Sequence, residues 1–225
     1  MDKIISGPAS NLAGSRVIQL GLLCGLVAPP LWAAVIVLAG ELRPGFDQVS
    51  QYISELGERG STTEVFMRYA GFVATGCLHL GYAAAFHATM SRIVDHRRLT
   101  LLVAVLIGLN GLGRIGAGMF SCEPGCIGPE SLTQRLHGLS ATIAFLSIAG
   151  AAILSAILFR ADQRWRSLAL YSFASGCTGL IFLWMMSSSE STQAFVGLYE
   201  RLASGILTLW VFVTAWQFWR LGGAK

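Results

Sequence analysis

The stretch VIQLGLLCGLVAPPLWAAVIVLAG, residues 17–40, contains no charged side chain. A helix needs about 20 apolar residues to cross a bilayer, and further stretches of that length follow it. The sequence predicts spans at about 17–40, 67–91, 99–121, 137–159, 167–187 and 195–219. Of the 225 residues, 54% are hydrophobic and 12% are charged, whereas soluble domains carry about 25% charged residues. We therefore expect an all-α integral membrane protein, a six-transmembrane-helix bundle that forms one transmembrane domain over residues 1–225.

Charged residues outside the spans are distributed unequally between the two sides of the predicted membrane. With six spans, both termini share one side, which includes the connections near 95 and 163 and is rich in lysine and arginine. Acidic residues dominate the other side, which holds the long segments 41–66 and 122–136. The positive-inside rule then places both termini in the cytoplasm. The net charge of +4 follows from this topology, so we expect membrane lipid, and no nucleic acid, as the partner.

The segment RPGFDQVSQYISELGERG, residues 43–60, predicts a short amphipathic helix in the first outer loop. Its apolar residues recur at helical spacing, at Phe46, Val49, Ile53 and Leu56. A helix of about ten residues within 46–57 is about 15 Å long, which is too short to cross the bilayer. Two interpretations stay open: it anchors the loop in the membrane interface, or it covers the outer mouth of the bundle. In the second case Asp47, Ser54 and Glu55 line a pocket.

Arg114 is the strongest single indication of a site. It lies inside the third span, in IGLNGLGRIGAG (107–118), one turn after Asn110. A charge at that depth costs at least a few kcal/mol and usually faces the bundle interior, where it finds a partner. The candidate partners are Asp47, Glu55 and Glu200; the alternative is an arginine that extends to the interface. Glu200 and Arg201, in LYERLASG (198–205), are a second insertion of charge at the same membrane level.

Two cysteines flank a turn in SCEPGCIGPESLTQRLHG, residues 121–138. Pro124-Gly125 suits the middle of a turn that brings Cys122 and Cys126 together, and a disulfide persists on the outer side of a membrane. The alternative is a metal site in which both thiolates join His137, although the spacing matches no familiar zinc pattern. His137 is either a proton-transfer group or an interfacial histidine. No cofactor motif is present, and we expect no cofactor and no metal.

Four of these motifs also resemble a known family. FDQVSQYISELG, GRIGAGMFSCEPGC, LHGLSA and YERLAS occur in the order found in the domain-of-unknown-function 998 family of prokaryotic membrane proteins. The resemblance implies a multi-helix fold in the cytoplasmic (inner) membrane of a prokaryote and no particular activity. The positions that match are Asp47, Ser54, Glu55, Leu56, Arg114, Pro124, His137 and Arg201.

Three functions are compatible with this sequence. In the first, an outward-facing polar pocket binds or moves a lipid headgroup or small amphiphile. Its ligand-binding residues are Arg114, Arg201, Glu200, Asn110 and Ser54. In the second, a membrane-embedded hydrolase or transferase uses His137 as general base, oriented by Asp47 or Glu55. In the third, the protein is a structural or accessory membrane subunit whose polar groups hold the bundle together.

Overall fold

The computed structural model describes residues 16–126 and 131–223, which are helical with short connections and contain no strand. Seven α-helices occur in this part of the chain: α1 (Arg16–Leu42), α2 (Glu64–Phe66), α3 (Ala74–Met90), α4 (Arg97–Met119), α5 (Leu132–Arg160), α6 (Arg166–Ser188) and α7 (Val196–Gly223). A π-helical segment, Met67–Val73, joins α2 to α3. Short 3-10 helices form at Ile53–Gly57, Pro124–Cys126 and Gln163–Trp165. We call Ile53–Gly57 the cap segment.

Five of the helices in the described residues are long and apolar enough to cross a membrane: α1, α4, α5, α6 and α7. The predicted second span differs from these five. Residues 64–90 are helical throughout, but the π-helical segment divides them, and α3 alone has 17 residues. The wider π turn gives each residue a different angular position from an α turn, so the apolar pattern of a single α-helix is interrupted here.

The helices form a closed ring in which each helix packs against the next. Going round the ring, α1 packs on α3, α3 on α4, α4 on α5, α5 on α6, α6 on α7 and α7 on α1. Glycines allow the closest approaches. A Cβ on Gly76 would lie 2.6 Å from the carbonyl oxygen of Gly111, and one on Gly113 would lie 2.6 Å from that of Ser140. Small residues at these crossings let backbones touch, as in other membrane bundles.

Two apolar clusters occupy the interior of the ring. One fills the half toward the α3–α4 connection and includes Phe86, Phe159 and Phe218. The other surrounds the cap segment and includes Trp32 and Leu56. The end of the bundle that carries the cap segment and the α4–α5 connection is called the loop end below. Leucine, valine and phenylalanine side chains also cover much of the outer surface, as expected of helices that face lipid.

The predicted amphipathic helix over 46–57 is wrong. Only the five-residue cap segment is helical, and it is buried at Ile53, Glu55 and Leu56 rather than half exposed. Upstream, the Asp47 carboxylate accepts hydrogen bonds from Val49 N at 2.9 Å and Ser50 Oγ at 2.5 Å. An aspartate that bonds nearby amides in this way favours a turn over a helix. Upstream of the cap segment, hydrogen bonds to other parts of the chain therefore take the place of the backbone bonds of a helix.

Candidate functional site

A polar cavity lies inside the ring, between the two apolar clusters and next to the cap segment. It has room for the centres of water-sized molecules over about 50 Å³, and about 580 Å³ of space not occupied by atoms when its open side is included. Every helix of the ring except α6 contributes to its wall. The site residues predicted from the sequence that line it are Ser54, Asn110, Arg114, His137 and Glu200. Residues that are far apart in the chain therefore meet at one level of the bundle.

Arg114 reaches the cavity from α4 and is 8% exposed. Its Nη1 donates to Thr75 Oγ1 at 3.1 Å, and its guanidinium carbon lies 4.2 Å from the ring centre of Trp32. Its Nε has no hydrogen-bond partner. Within residues 16–126 and 131–223, Arg114 forms no ion pair. The predicted pairing with Asp47, Glu55 or Glu200 is therefore wrong, and so is the alternative in which the side chain extends to the interface.

Glu200 enters the same cavity from α7 without meeting Arg114. Its Oε2 accepts a hydrogen bond from the backbone N–H of Ile53 at 2.6 Å. This bond satisfies an amide of the cap segment and keeps the carboxylate on the side of α7. In the part of the chain that the structure describes, Glu200 belongs to no ion pair. The cavity thus holds a buried carboxylate and a buried guanidinium that do not neutralise each other by contact.

Arg201 does not line the cavity, contrary to the prediction. Its Nε donates to Gln48 Oε1 at 2.6 Å, and its Nη1 donates to Gln51 O at 2.8 Å and to Gly197 O at 2.9 Å. These bonds hold the segment before the cap against α7. The position follows from helix geometry, because neighbouring residues on a helix point about 100° apart. With Glu200 turned inward, Arg201 faces the loop above.

Two histidines present imidazole rings to the cavity. Nδ1 of His137 lies 2.8 Å from Phe120 O and 3.0 Å from Ala117 O, and Nδ1 of His79 lies 2.7 Å from Thr75 O. Because carbonyl oxygens only accept hydrogen bonds, Nδ1 is the donor in both rings. Nε2 of each neutral ring is then an acceptor, and neither Nε2 has a hydrogen-bond partner in the described residues.

The predicted dyad of His137 with Asp47 or Glu55 does not form, since backbone carbonyls occupy Nδ1 of His137. Asp47 is exposed, and its bonds to Ser50 and Val49 hold the pKa of its carboxyl below the ordinary value. Glu55 accepts from Tyr52 N at 2.8 Å and from Gln51 Nε2 at 2.7 Å. Burial raises the pKa of Glu55 against the effect of these bonds. Neither carboxylate reaches the cavity wall.

Asn110 and Trp32 complete the polar part of the wall. Asn110 Nδ2 donates to Ala144 O at 2.8 Å, while its Oδ1 has no partner. Trp32 Nε1 donates to Ser204 Oγ at 2.8 Å, which links α1 to α7. Sequence reasoning did not select Trp32 or His79 as site residues. Both lie in apolar spans, where a tryptophan or a histidine is more often part of the packed core.

The cap segment is fixed to its surroundings by charged groups at the loop end. Arg43 donates to Glu55 O and forms an ion pair with Glu58 at 2.5 Å. The Glu58 carboxylate also accepts from the backbone N–H of Gly125 at 2.5 Å. This links the cap segment to the turn before α5, and a disulfide between Cys122 and Cys126 closes that turn.

The alternative metal site of Cys122, Cys126 and His137 conflicts with this geometry. Disulfide sulfurs are not thiolates and do not serve as zinc ligands. His137 also directs Nδ1 to backbone carbonyls. Within the described ranges, no group of three or more His, Cys, Asp or Glu side chains is arranged to hold a metal ion.

Comparison with known proteins identifies the family. The family described as "Protein of unknown function (DUF998)" matches residues 26–217, which include every element of the cavity wall. The chain belongs to the DUF998 family. No curated protein and no solved structure matches it. The chemistry of its own cavity is therefore the guide to the function of this DUF998 chain.

Proposed function

We propose that this DUF998 protein binds the polar head of a membrane amphiphile in the cavity beside the cap segment. The observation that carries the proposal is the presence of Arg114 and Glu200 in one buried cavity without an ion pair between them. Burying an unpaired charge costs several kcal/mol. A ligand with complementary charges would offset that cost, and no ion pair in the described residues does so.

The unfilled hydrogen-bonding groups define the chemistry of the ligand. The unfilled donor is Arg114 Nε. The unfilled acceptors are Asn110 Oδ1, Nε2 of His79 and of His137, and the Glu200 carboxylate beyond its bond to Ile53. The ligand should therefore combine an anionic group for Arg114 with several N–H or O–H donors. A phosphoethanolamine head has both, because its phosphate accepts and its ammonium carries three donors.

The proposal includes a membrane arrangement. Residues 64–90 form the sixth crossing together with α1, α4, α5, α6 and α7, and the loop end faces outward. The support is the excess of arginine at the opposite end, in the connections near 95 and 163. The disulfide at the loop end agrees with this orientation, because disulfides persist outside the cytoplasm. The amphiphile then comes from the outer leaflet of the cytoplasmic membrane.

The two other functions receive less support from the geometry. The hydrolase or transferase predicted from the sequence needs Asp47 or Glu55 beside His137, and both carboxylates lie outside the cavity. A purely structural role for the polar groups predicts an Arg114 neutralised by a carboxylate, whereas Arg114 contacts a hydroxyl and an aromatic ring.

Lipid comparison tests the proposal directly. The protein is purified gently, inspected by native mass spectrometry, delipidated, and then titrated with phosphatidylethanolamine, phosphatidylcholine or diacylglycerol while its thermal unfolding is followed. Phosphatidylcholine has the phosphate without N–H donors, and diacylglycerol lacks the phosphate. We expect binding to decrease in that order, with phosphatidylethanolamine retained through purification. Equal shifts of the unfolding temperature with all three lipids would contradict a headgroup site.

A further inference from the structure

An apolar groove runs down the outside of the bundle between α1 and α7. It offers about 1090 Å³ of space, including its open side, and its wall is almost entirely apolar. Pro29 and Pro30 form one side, and Gly205, Leu209 and Phe212 form the other. From Arg201 at its upper end to Phe212, the groove follows α7 for about 16 Å at 1.5 Å per residue. That is about half of the 30 Å hydrocarbon core of a bilayer.

The groove and the polar cavity share a wall. Trp32, Ser204 and Thr208 line both. The hydrogen bond from Trp32 Nε1 to Ser204 Oγ closes this wall at 2.8 Å. On the cavity side, the guanidinium of Arg114 lies over the ring of Trp32. A rotation of Trp32 that breaks this hydrogen bond and moves the ring away from Arg114 would therefore connect the lipid-facing groove with the charged cavity.

We infer that the groove holds the acyl chain of the same lipid whose head occupies the cavity, and that the Trp32–Ser204 contact is the lateral gate between the two. This inference rests on the proposed headgroup site. Three observations support one lipid as the occupant: the apolar wall, a length that matches one leaflet, and continuity with a cavity that contains unpaired charges. The head would pass sideways between α1 and α7 while the chain stays in apolar surroundings throughout.

The groove determines where the acyl chain lies but adds little to the affinity for the lipid. A chain that moves from the bilayer into the groove leaves one apolar medium for another, so it gains little from the hydrophobic effect. The specific contacts belong to the head, at Arg114 and Glu200. Blocking the groove should therefore exclude a full-length lipid and leave a water-soluble headgroup free to bind.

Two glycines provide a matched pair of blocking variants. A Cβ on Gly205 meets no atom within 4 Å, and the same is true of Gly138 on α5. Both positions are exposed and helical, so Gly205→Trp and Gly138→Trp should fold equally well. The first fills the groove, and the second lies elsewhere on the surface. Each variant is placed in nanodiscs that contain phosphatidylethanolamine with a photoreactive diazirine on one acyl chain. Crosslinked peptides are then mapped, and binding of soluble glycerophosphoethanolamine is measured separately.

In the wild type, crosslinks should concentrate on the groove-facing residues of α1 and α7. Gly205→Trp should lower their yield about tenfold, which corresponds to roughly 1.4 kcal/mol, and leave glycerophosphoethanolamine binding unchanged. Gly138→Trp should change neither. Crosslinks that spread evenly over all lipid-facing helices, or that Gly205→Trp does not reduce, would refute the assignment of the groove to the acyl chain. Groove crosslinks without any glycerophosphoethanolamine binding in the wild type would overturn the headgroup site and, with it, the joint occupancy inferred here.

Discussion

Replacement of Arg114 by methionine should abolish ligand binding without destabilising the protein. Methionine is similar in length, fills the same space and carries no charge. It keeps contact with the Trp32 ring through its sulfur, an interaction worth about 0.3–1.5 kcal/mol. Thr75 Oγ1, which accepts from Arg114 in the wild type, still donates to Gly71 O at 2.5 Å. The substitution therefore leaves no newly exposed donor in the core.

The expected magnitude follows from the contacts of Arg114. The variant loses one hydrogen bond from a charged group, about 1.5–3 kcal/mol, and a desolvated cation–π contact of about 2 kcal/mol. In return, the variant no longer has to desolvate an unpaired ion, which stabilises it by several kcal/mol. These terms nearly cancel, so the free energy of unfolding should be unchanged or should rise by roughly 1–2 kcal/mol. For a chain of this size, each kcal/mol raises Tm by about 2–4 °C.

Thermal unfolding with and without phosphatidylethanolamine measures both effects. At a lipid concentration about 100 times Kd, the wild type should gain roughly 2.7 kcal/mol, and Arg114→Met should gain nothing. The matched control is Arg59→Met, because Arg59 is half exposed and has an ion pair with Glu123 at 3.6 Å. That control should remain within about 0.5 kcal/mol and keep the lipid response. A variant at Arg114 that unfolds well below the wild type, yet still responds to the lipid, would refute the reasoning.

Three further predictions concern Glu55, the membrane topology and the disulfide. Burial raises the pKa of Glu55 above its ordinary value of 4.5, so its contribution to stability is complete below pH 4.5 and is lost as the pH rises through the raised pKa. A pH series of Tm for Glu55→Gln should accordingly lack this decline. In a background without the other cysteines, a maleimide that does not cross membranes should label Thr62→Cys in intact cells, and label Ala161→Cys only after permeabilisation; the reverse pattern would invert the proposed topology. Reduction of the Cys122–Cys126 disulfide, which closes a loop of about five residues, should cost roughly 2 kcal/mol, and the double serine variant should show the same Tm in reducing and oxidising buffer.

The sequence could predict the class of fold and most of the cavity wall for one physical reason. Polar side chains are costly inside a membrane, so those that occur at the same depth tend to share an interior space. Arg114, Asn110, His137 and Glu200 lie at one level near the loop end of their spans, and the structure brings all four together. Five of the predicted spans also satisfy the length and composition of a membrane helix.

The contacts within the cavity could not be predicted, because they depend on tertiary hydrogen bonds. Glu200 bonds to a backbone amide of the cap segment instead of Arg114. Asp47 bonds to its own turn. Periodicity over 46–57 is compatible with a helix, yet Leu198 N donates to Val49 O and fixes the chain in a different conformation. The bonds of Glu200 to Ile53 and of Leu198 to Val49 join residues about 150 positions apart, and no local pattern predicts them.

The arrangement of the two charges suggests why they remain apart. Thr75 of α3 and Trp32 of α1 hold the guanidinium, while Ile53 N of the cap segment holds the carboxylate. A ligand that bridged Arg114 and Glu200 would connect α4, α7 and the cap segment through its own charges. Binding would then stabilise the loop end as a unit, because the carboxylate that meets the ligand also bonds the cap segment. Replacing Glu200 by glutamine keeps an acceptor for Ile53 N but removes the charge. It should therefore preserve the cap segment and weaken the ammonium-bearing lipid selectively, which distinguishes an electrostatic bridge from simple filling of the cavity.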